Sequence, residues 1–98
     1  MLDRRATISQ EAIAQEVSDE VVILDLGSEQ YFSLDPVGAR IWALIGEYGS
    51  LGQVFNQLLS EYEVSETELK SDLETLVQSL VAEGLVVLDD PLPALPDE

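Results

Sequence analysis

Residues 20–45 read EVVILDLGSEQYFSLDPVGARIWALI, and the fold turns on how this stretch is divided. Its first part, residues 20–26, is dense in β-branched and large apolar side chains, the composition that strands prefer. Gly27-Ser28-Glu29 marks a turn, with Gly27 free to take a positive φ. QYFSL, residues 30–34, is a further strand. Asp35-Pro36 then starts a helix, because a carboxylate can accept from a first-turn amide and proline suits the first helical position. From there Val37, Ile41, Leu44, Ile45 and Tyr48 recur at helical spacing, and Gly46 or Gly49 can end the run.

Upstream, residues 12–17 form another strand-like run, joined to residues 20–26 by the Ser18-Asp19 turn. Three runs linked by two short turns predict an antiparallel meander with residues 21–26 in the middle. The middle strand is apolar on both faces, Val22, Leu24 and Leu26 on one and Val21 and Ile23 on the other. That pattern predicts a sheet covered on both sides.

Downstream the chain is helical. Ser50 with Gln53 and Ser65 with Glu68 both have capping-box spacing. Leu51, Val54, Phe55, Leu58 and Tyr62 make the apolar stripe of a second helix. In a third helix, Leu69, Leu73, Leu76 and Leu80 mark the buried face at 100° per residue, with Val77 beside them. Gly84 is the residue expected just past the end of this helix. Residues 85–88 form a fourth strand or simply pack. Residues 89–98, with three prolines and four acids, read as a disordered tail after a domain spanning residues 1–88. Strands followed by helices predict an α+β domain, a three-stranded antiparallel sheet packed on a three-helix bundle.

Charge and composition exclude several functions. Of 98 residues, 46% are hydrophobic, enough for one small core, but 4 basic residues face 20 acidic ones for a net charge of −16. Nucleic-acid phosphates and anionic membranes would repel such a chain. Cysteine and histidine are absent, which removes disulfides, thiolate nucleophiles, zinc-finger ligation and the commonest general base. No apolar run of about 20 residues is present to span a membrane. The N-terminal residues lack a signal peptide's apolar stretch, and the expected location is the cytoplasm. Glu61, Glu63, Glu66, Glu68, Asp72 and Glu74 crowd the second loop and third helix. They match no EF-hand pattern and fit a solvated helix face, with acids favoured near an N-terminus by the helix dipole. Trp42 fits a core plug better than a ligand platform.

The last strand of the meander, Gln30, Tyr31, Phe32, Ser33 and Leu34, stands at a sheet edge without the Lys or Pro that commonly blunts one. Phe32 and Leu34 share the core-directed face; Tyr31 and Ser33 share the other. Two arrangements fit. Either the edge accepts an added peptide strand, or residues 1–9 or the tail cover it. A free edge also allows weak self-pairing of two copies.

These residues resemble the PqqD-like family, small peptide-binding domains also called RiPP recognition elements. The matching pieces are Leu24-Asp25-Leu26 before a turn, Tyr31-Phe32, Leu34-Asp35 leading into Val37-Gly38-Ala39, and Ile41-Trp42. Asp72-Leu73, Leu80 and Gly84-Leu85 also match. The resemblance covers roughly residues 8–88 and implies a winged-helix-like bundle under the sheet. It implies binding of the leader segment of a ribosomally made precursor peptide, which adds to the third strand and lies against the third helix. A separate leader peptidase or modifying enzyme then acts on the peptide. No catalysis, cofactor or metal is implied. On the third helix, helical phase puts Asp72, Leu76 and Ser79 on one flank of the stripe that includes Leu69 and Leu73, with the Val77 and Val81 flank as the alternative; the resemblance places an acid at Asp72 and favours the first, so Leu69, Asp72, Leu73, Leu76 and Ser79 are the expected contacts. The helix start looks most like the recognition proteins of lasso-peptide clusters. The first strand lacks the aromatics of the members that partner a radical-SAM enzyme. A winged-helix transcription regulator shares the bundle, but its recognition helix would be the third, with Lys70 against five acids.

Overall fold

A computed structural model describes residues 2–89. The chain runs β1 (Arg5–Ile8), β2 (Ala12–Val17), β3 (Glu20–Asp25), β4 (Gln30–Leu34), α1 (Pro36–Tyr48), α2 (Leu51–Glu61), α3 (Glu66–Ala82) and β5 (Val86–Asp89). Strands β2, β3 and β4 form the expected antiparallel meander in that order, beside three helices.

The helix boundaries follow from local chemistry. Asp35 Oδ1 accepts from the Gly38 amide at 2.8 Å, and Pro36 opens α1 behind it. Ser50 and Ser65 accept from the amides of Gln53 and Glu68 at 3.4 and 3.1 Å. Gly49, at φ 75°, closes α1. Past α3 the Gly84 amide bonds to the Val81 carbonyl at 3.0 Å and the Leu85 amide to the Leu80 carbonyl at 2.9 Å. These two bonds form a Schellman motif, and the buried pair Leu80 and Leu85 supplies its apolar contact.

That motif turns the chain into β5, which pairs antiparallel with β1 from Arg5↔Asp89 to Ile8↔Val86. Of the two readings for residues 85–88, the strand is therefore correct, but its partner is a strand that pattern reading missed. The ladder takes in Asp89, one residue into the span assigned to the tail; residues 90–98 lie outside the described residues. β1 also crosses the α1–α2 turn, where the Ala6 amide bonds to the Gly49 carbonyl at 2.8 Å and the Leu51 amide to the Arg4 carbonyl at 3.0 Å.

Helix α1 occupies the centre and packs against α2, β1, β3 and β4, while α3 packs against α2 and β5. Ile23, Ile41, Leu44, Leu51, Leu58, Leu73, Val77 and Leu85 are fully buried, and Trp42 is 6% exposed among them. Three sequence expectations need correction. The sheet is packed on one face only. Val21 and Ile23 are buried, whereas Val22 and Leu24 are half-exposed and Leu26 is exposed. Three short helices that must bury their stripes against one another cannot be shared between two sheet faces. On α3, Val77 rather than Leu76 completes the buried stripe, and Leu76 sits half-buried on the flank. In the β3–β4 turn the positive φ falls on Glu29, at 61°, and not on Gly27. The Asp25 carboxylate holds that turn by accepting from the Gly27 amide at 3.1 Å and the Ser28 hydroxyl at 2.9 Å.

On the far side of α1, Arg40 reaches Glu61 at the end of α2 with two parallel bonds, Nε to Oε1 at 2.9 Å and Nη2 to Oε2 at 2.5 Å. These bonds, aided by the Gln57 amide, lower the Glu61 carboxyl from its ordinary 4.5 to about 2. A depressed carboxyl stabilises the fold above its unfolded-state value and loses that contribution as pH falls toward the folded value.

Two predictions follow from these contacts. No atom lies within 4 Å of a Cβ at Gly84, so Gly84→Ala is penalised only by its φ of 78°. A left-handed L-residue costs about 1–2 kcal/mol, and each 1 kcal/mol lowers the melting temperature of a domain this size by about 4–8 °C. Glu61→Gln should destabilise at pH 7 by no more than about 1 kcal/mol, as for exposed pairs. Its deficit relative to the wild type should shrink between pH 4.5 and 2, read by thermal melts across that range.

Candidate functional site

The backbone at the edge of the sheet can be assigned from register. The Leu26 amide bonds to the Glu11 carbonyl at 2.9 Å, so residue 26 of the β3 line points toward β2. Backbone polar groups alternate sides along a strand. Leu24, Val22 and Glu20 therefore also point to β2, and Val21, Ile23 and Asp25 point to β4. Their partners there are Leu34, Phe32 and Gln30. Tyr31 and Ser33 are left with their N–H and C=O groups directed away from the sheet, two donors and two acceptors on an edge that no strand among the described residues pairs with; of the tail offered as a cover, residues 90–98 lie outside the described residues. Residues 2–8 do not cover the edge, since that segment pairs with β5 and crosses Ser50.

Beside this edge lies a groove of about 470 Å³, walled by Ser33 and Leu34 on one side and by Asp72 and Leu76 of α3 on the other. Its floor is the start of α1, with Asp35, Val37, Gly38 and Ile41. Strand and helix meet tightly at Gly38: a Cβ there would lie 3.2 Å from Asp35 Oδ1 and 3.3 Å from Leu34 Cβ, so these neighbours would have to give by a few tenths of an ångström. The two groove carboxylates differ. Asp35 is committed to capping α1, while Asp72 is exposed and has no hydrogen bond or ion pair among the described residues.

The expected site residues fall into distinct places. Ser33, Leu34, Asp72 and Leu76 come together in the groove. Tyr31 is 72% exposed and lies on the outer face of the sheet, and Gln30 is exposed at the turn. Phe32 is half-buried against the core. Leu69 and Leu73 belong to the core itself, at 5% and 0% exposure, and support α3 from behind. Ser79 is exposed and is not part of the groove lining. Of the two flanks considered for α3, the one carrying Asp72 and Leu76 lines the groove; Val77 is buried and Val81 is elsewhere on the surface. Val37, Gly38 and Ile41 were not anticipated. Val37 gave a signal, being an apolar residue in the first turn directly after the edge strand, and at 44% exposure it belongs to no core.

Fold and groove together define a small winged-helix-like α+β domain with an open sheet edge. Residues 20–86 match the family described as coenzyme PQQ synthesis protein D (PqqD), and the chain belongs to that family. Among solved structures it is similar to TbiB1 in complex with the TbiA(beta) leader peptide. The two share 30% identity at a TM-score of 0.78, over 93% of this chain and 99% of that one. It is also similar to a lasso peptide synthetase B1 complexed with the leader peptide. That match has 29% identity and a TM-score of 0.76, over 85% of this chain and 98% of the other. Comparison with curated proteins gives no match.

The register assignment has a direct check. In the free protein the amides of Phe32 and Leu34 should be protected from hydrogen exchange, and those of Tyr31 and Ser33 should exchange fast. The opposite alternation would overturn the edge geometry.

Proposed function

We propose that this protein binds the leader segment of a ribosomally made precursor peptide in lasso-peptide biosynthesis and presents it to a separate leader peptidase or modifying enzyme. The observation that carries this reading is the β4 edge, unpaired among the described residues, beside an apolar groove, in a fold shared with two solved structures that each hold a leader peptide.

In this reading the leader extends the sheet as a strand beside β4. Tyr31 and Ser33 exchange main-chain bonds with it, each contributing about 0.5–1.5 kcal/mol net. These bonds orient the peptide without reading its sequence. Selection comes from side chains that drop into the groove, where Leu34, Val37, Ile41 and Leu76 offer apolar contact. Fully burying one Leu-sized side chain contributes about 1.5–3 kcal/mol, so one or two such anchors outweigh the backbone bonds in deciding which peptide is held. Asp72 faces the same groove and suits a leader Arg, Lys or backbone N–H. The protein acts as a binding module. Its third helix, with Lys70 amid Glu66, Glu68, Asp72 and Glu74, is unsuited to phosphate contact, which speaks against the DNA-binding reading.

The test is titration with the synthetic leader of the precursor encoded beside the gene; no binding would remove the proposal. With the wild type, added leader should slow amide exchange at Tyr31 and Ser33. Ser33→Pro removes an outward donor without touching the β3–β4 ladder, so it should weaken binding and leave the melting temperature nearly unchanged. Asp72→Ala should cost roughly tenfold in affinity, about 1.4 kcal/mol, with the fold intact. Leu76→Ala should lower both affinity and stability.

A further inference from the structure

The face of the sheet turned away from the helices is not used by the groove. Register places Ile13, Leu24 and Tyr31 in one row across β2, β3 and β4 on this face, with Val22 next to them and Leu26 beyond. Ile13, Leu26 and Tyr31 are 51%, 50% and 72% exposed, and Val17 near the β2–β3 turn is 54% exposed. A contiguous apolar row of this kind on a small domain marks an interaction surface. β2 strengthens the point, since residues 13–17 are exposed on both faces of the strand.

The surrounding charge selects the occupant. Residues 11–34 carry Glu11, Glu16, Asp19, Glu20, Asp25 and Glu29, and no Lys or Arg. Arg5 bonds to the Tyr48 carbonyl, and Arg40, bonded to Glu61, lies on the helix side of the sheet in one cleft with Glu16 and Asp19. Register puts Glu20 on this face, and Glu11, Asp19 and Glu29 lie in the turns at its ends, whereas Glu16 and Asp25 alternate to the helix side. Two copies stacked on the face would set these like charges against one another, and an anionic lipid surface would be repelled likewise. A face with an apolar centre ringed by Lys and Arg is complementary.

We propose that the outer face of the β2–β3–β4 sheet, centred on Ile13, Leu24 and Tyr31, docks the enzyme that receives the bound peptide, through an apolar surface with a basic rim. The inference rests on the leader-binding reading and deepens it by assigning the second partner its own surface. The groove side and the docking side are then opposite faces of one sheet. Tyr31 belongs to both neighbourhoods: its backbone lies on the peptide edge and its side chain on the docking face. A leader strand added beside β4 would continue the docking face outward and lie at its border, within reach of a docked enzyme.

The experiment uses the full chain, the synthetic leader, and the purified leader peptidase of the same biosynthetic gene set. Ile13→Arg sits on β2, at the edge remote from the leader. It should reduce peptidase affinity at least tenfold while leader affinity stays within twofold of the wild type, which also reports an intact fold. Leu26→Ser, in the exposed turn, is the second variant and should act in the same direction. Glu20→Lys should slow peptidase association at low salt. Unchanged peptidase binding in Ile13→Arg and Leu26→Ser overturns the proposal, as does a wild type that binds leader but not peptidase. A wild-type dimer in sedimentation that Ile13→Arg dissolves would assign the face to a second copy and also overturns it. Failure of the wild type to bind leader refutes the leader-binding reading instead, and the peptidase titrations are scored separately.

Discussion

Strand β4 passes into helix α1 across one residue, Asp35, whose carboxylate is bonded to the amide of Gly38. Almost everything of interest in the molecule depends on that junction. With no loop between them, the edge strand and the first helical turn must approach closely, and the absence of a side chain at Gly38 lets them do so. The approach leaves Val37 and Ile41 beside the backbone of Ser33 and Leu34, and α3 closes the other side with Asp72 and Leu76. A longer connection would let the strand drift from the helix, and the open edge would face water alone. The groove is thus a by-product of an abrupt change from one backbone geometry to another, held by a single cap.

The distribution of charge reinforces this division of labour. The core contains no buried polar or charged residue among those described, so the described acids lie on the surface, and few cations are present to quench them. The Arg40–Glu61 fork ties α1 to the end of α2 and lies away from both the groove and the sheet's outer face. The surfaces offered to partners are therefore acidic and unpaired. They favour basic partners at long range, while short-range apolar contact decides fit.

Much of this architecture was legible in the sequence because it is dictated locally. Asp35, Ser50 and Ser65 cap helices wherever they precede one, and Gly84 ends α3 because its neighbours would resist a φ of 78°. The three-stranded meander followed from two short turns. Asp72 and Leu76 line the groove, whereas Ser79, which helical phase puts on the same flank, does not. What was not legible depends on partners distant in the chain. β1 is four residues long and has no period of its own; only β5 and the α1–α2 turn make it a strand. The apolar pattern of β3 suggested two covered faces, although Val22 and Leu24 meet a surface left open. The choice between Leu76 and Val77 for the core depends on a small rotation of α3, which spacing alone does not resolve. Val37 shares the helical phase of Ile41 and Leu44, yet its place in the groove follows from where α3 lies.

The pairing of β1 with β5 also bears on how the molecule comes into being. Arg5 meets Asp89 across 89 − 5 = 84 positions of chain, so the first strand to be synthesised has no ladder partner until the last one emerges. The meander and the hairpin-like steps from β2 to α1 involve only neighbours and can form early, since local contacts close fast. The turn between α1 and α2 gives β1 a temporary hold through Ala6 and Leu51. The binding edge is thereby assembled on the nascent chain well before the domain is sealed. During that interval the unpaired β1 and the edge of β4 are exposed together, when pairing with a wrong neighbour is easiest. The strongly acidic composition of the chain keeps such half-made copies apart by mutual repulsion.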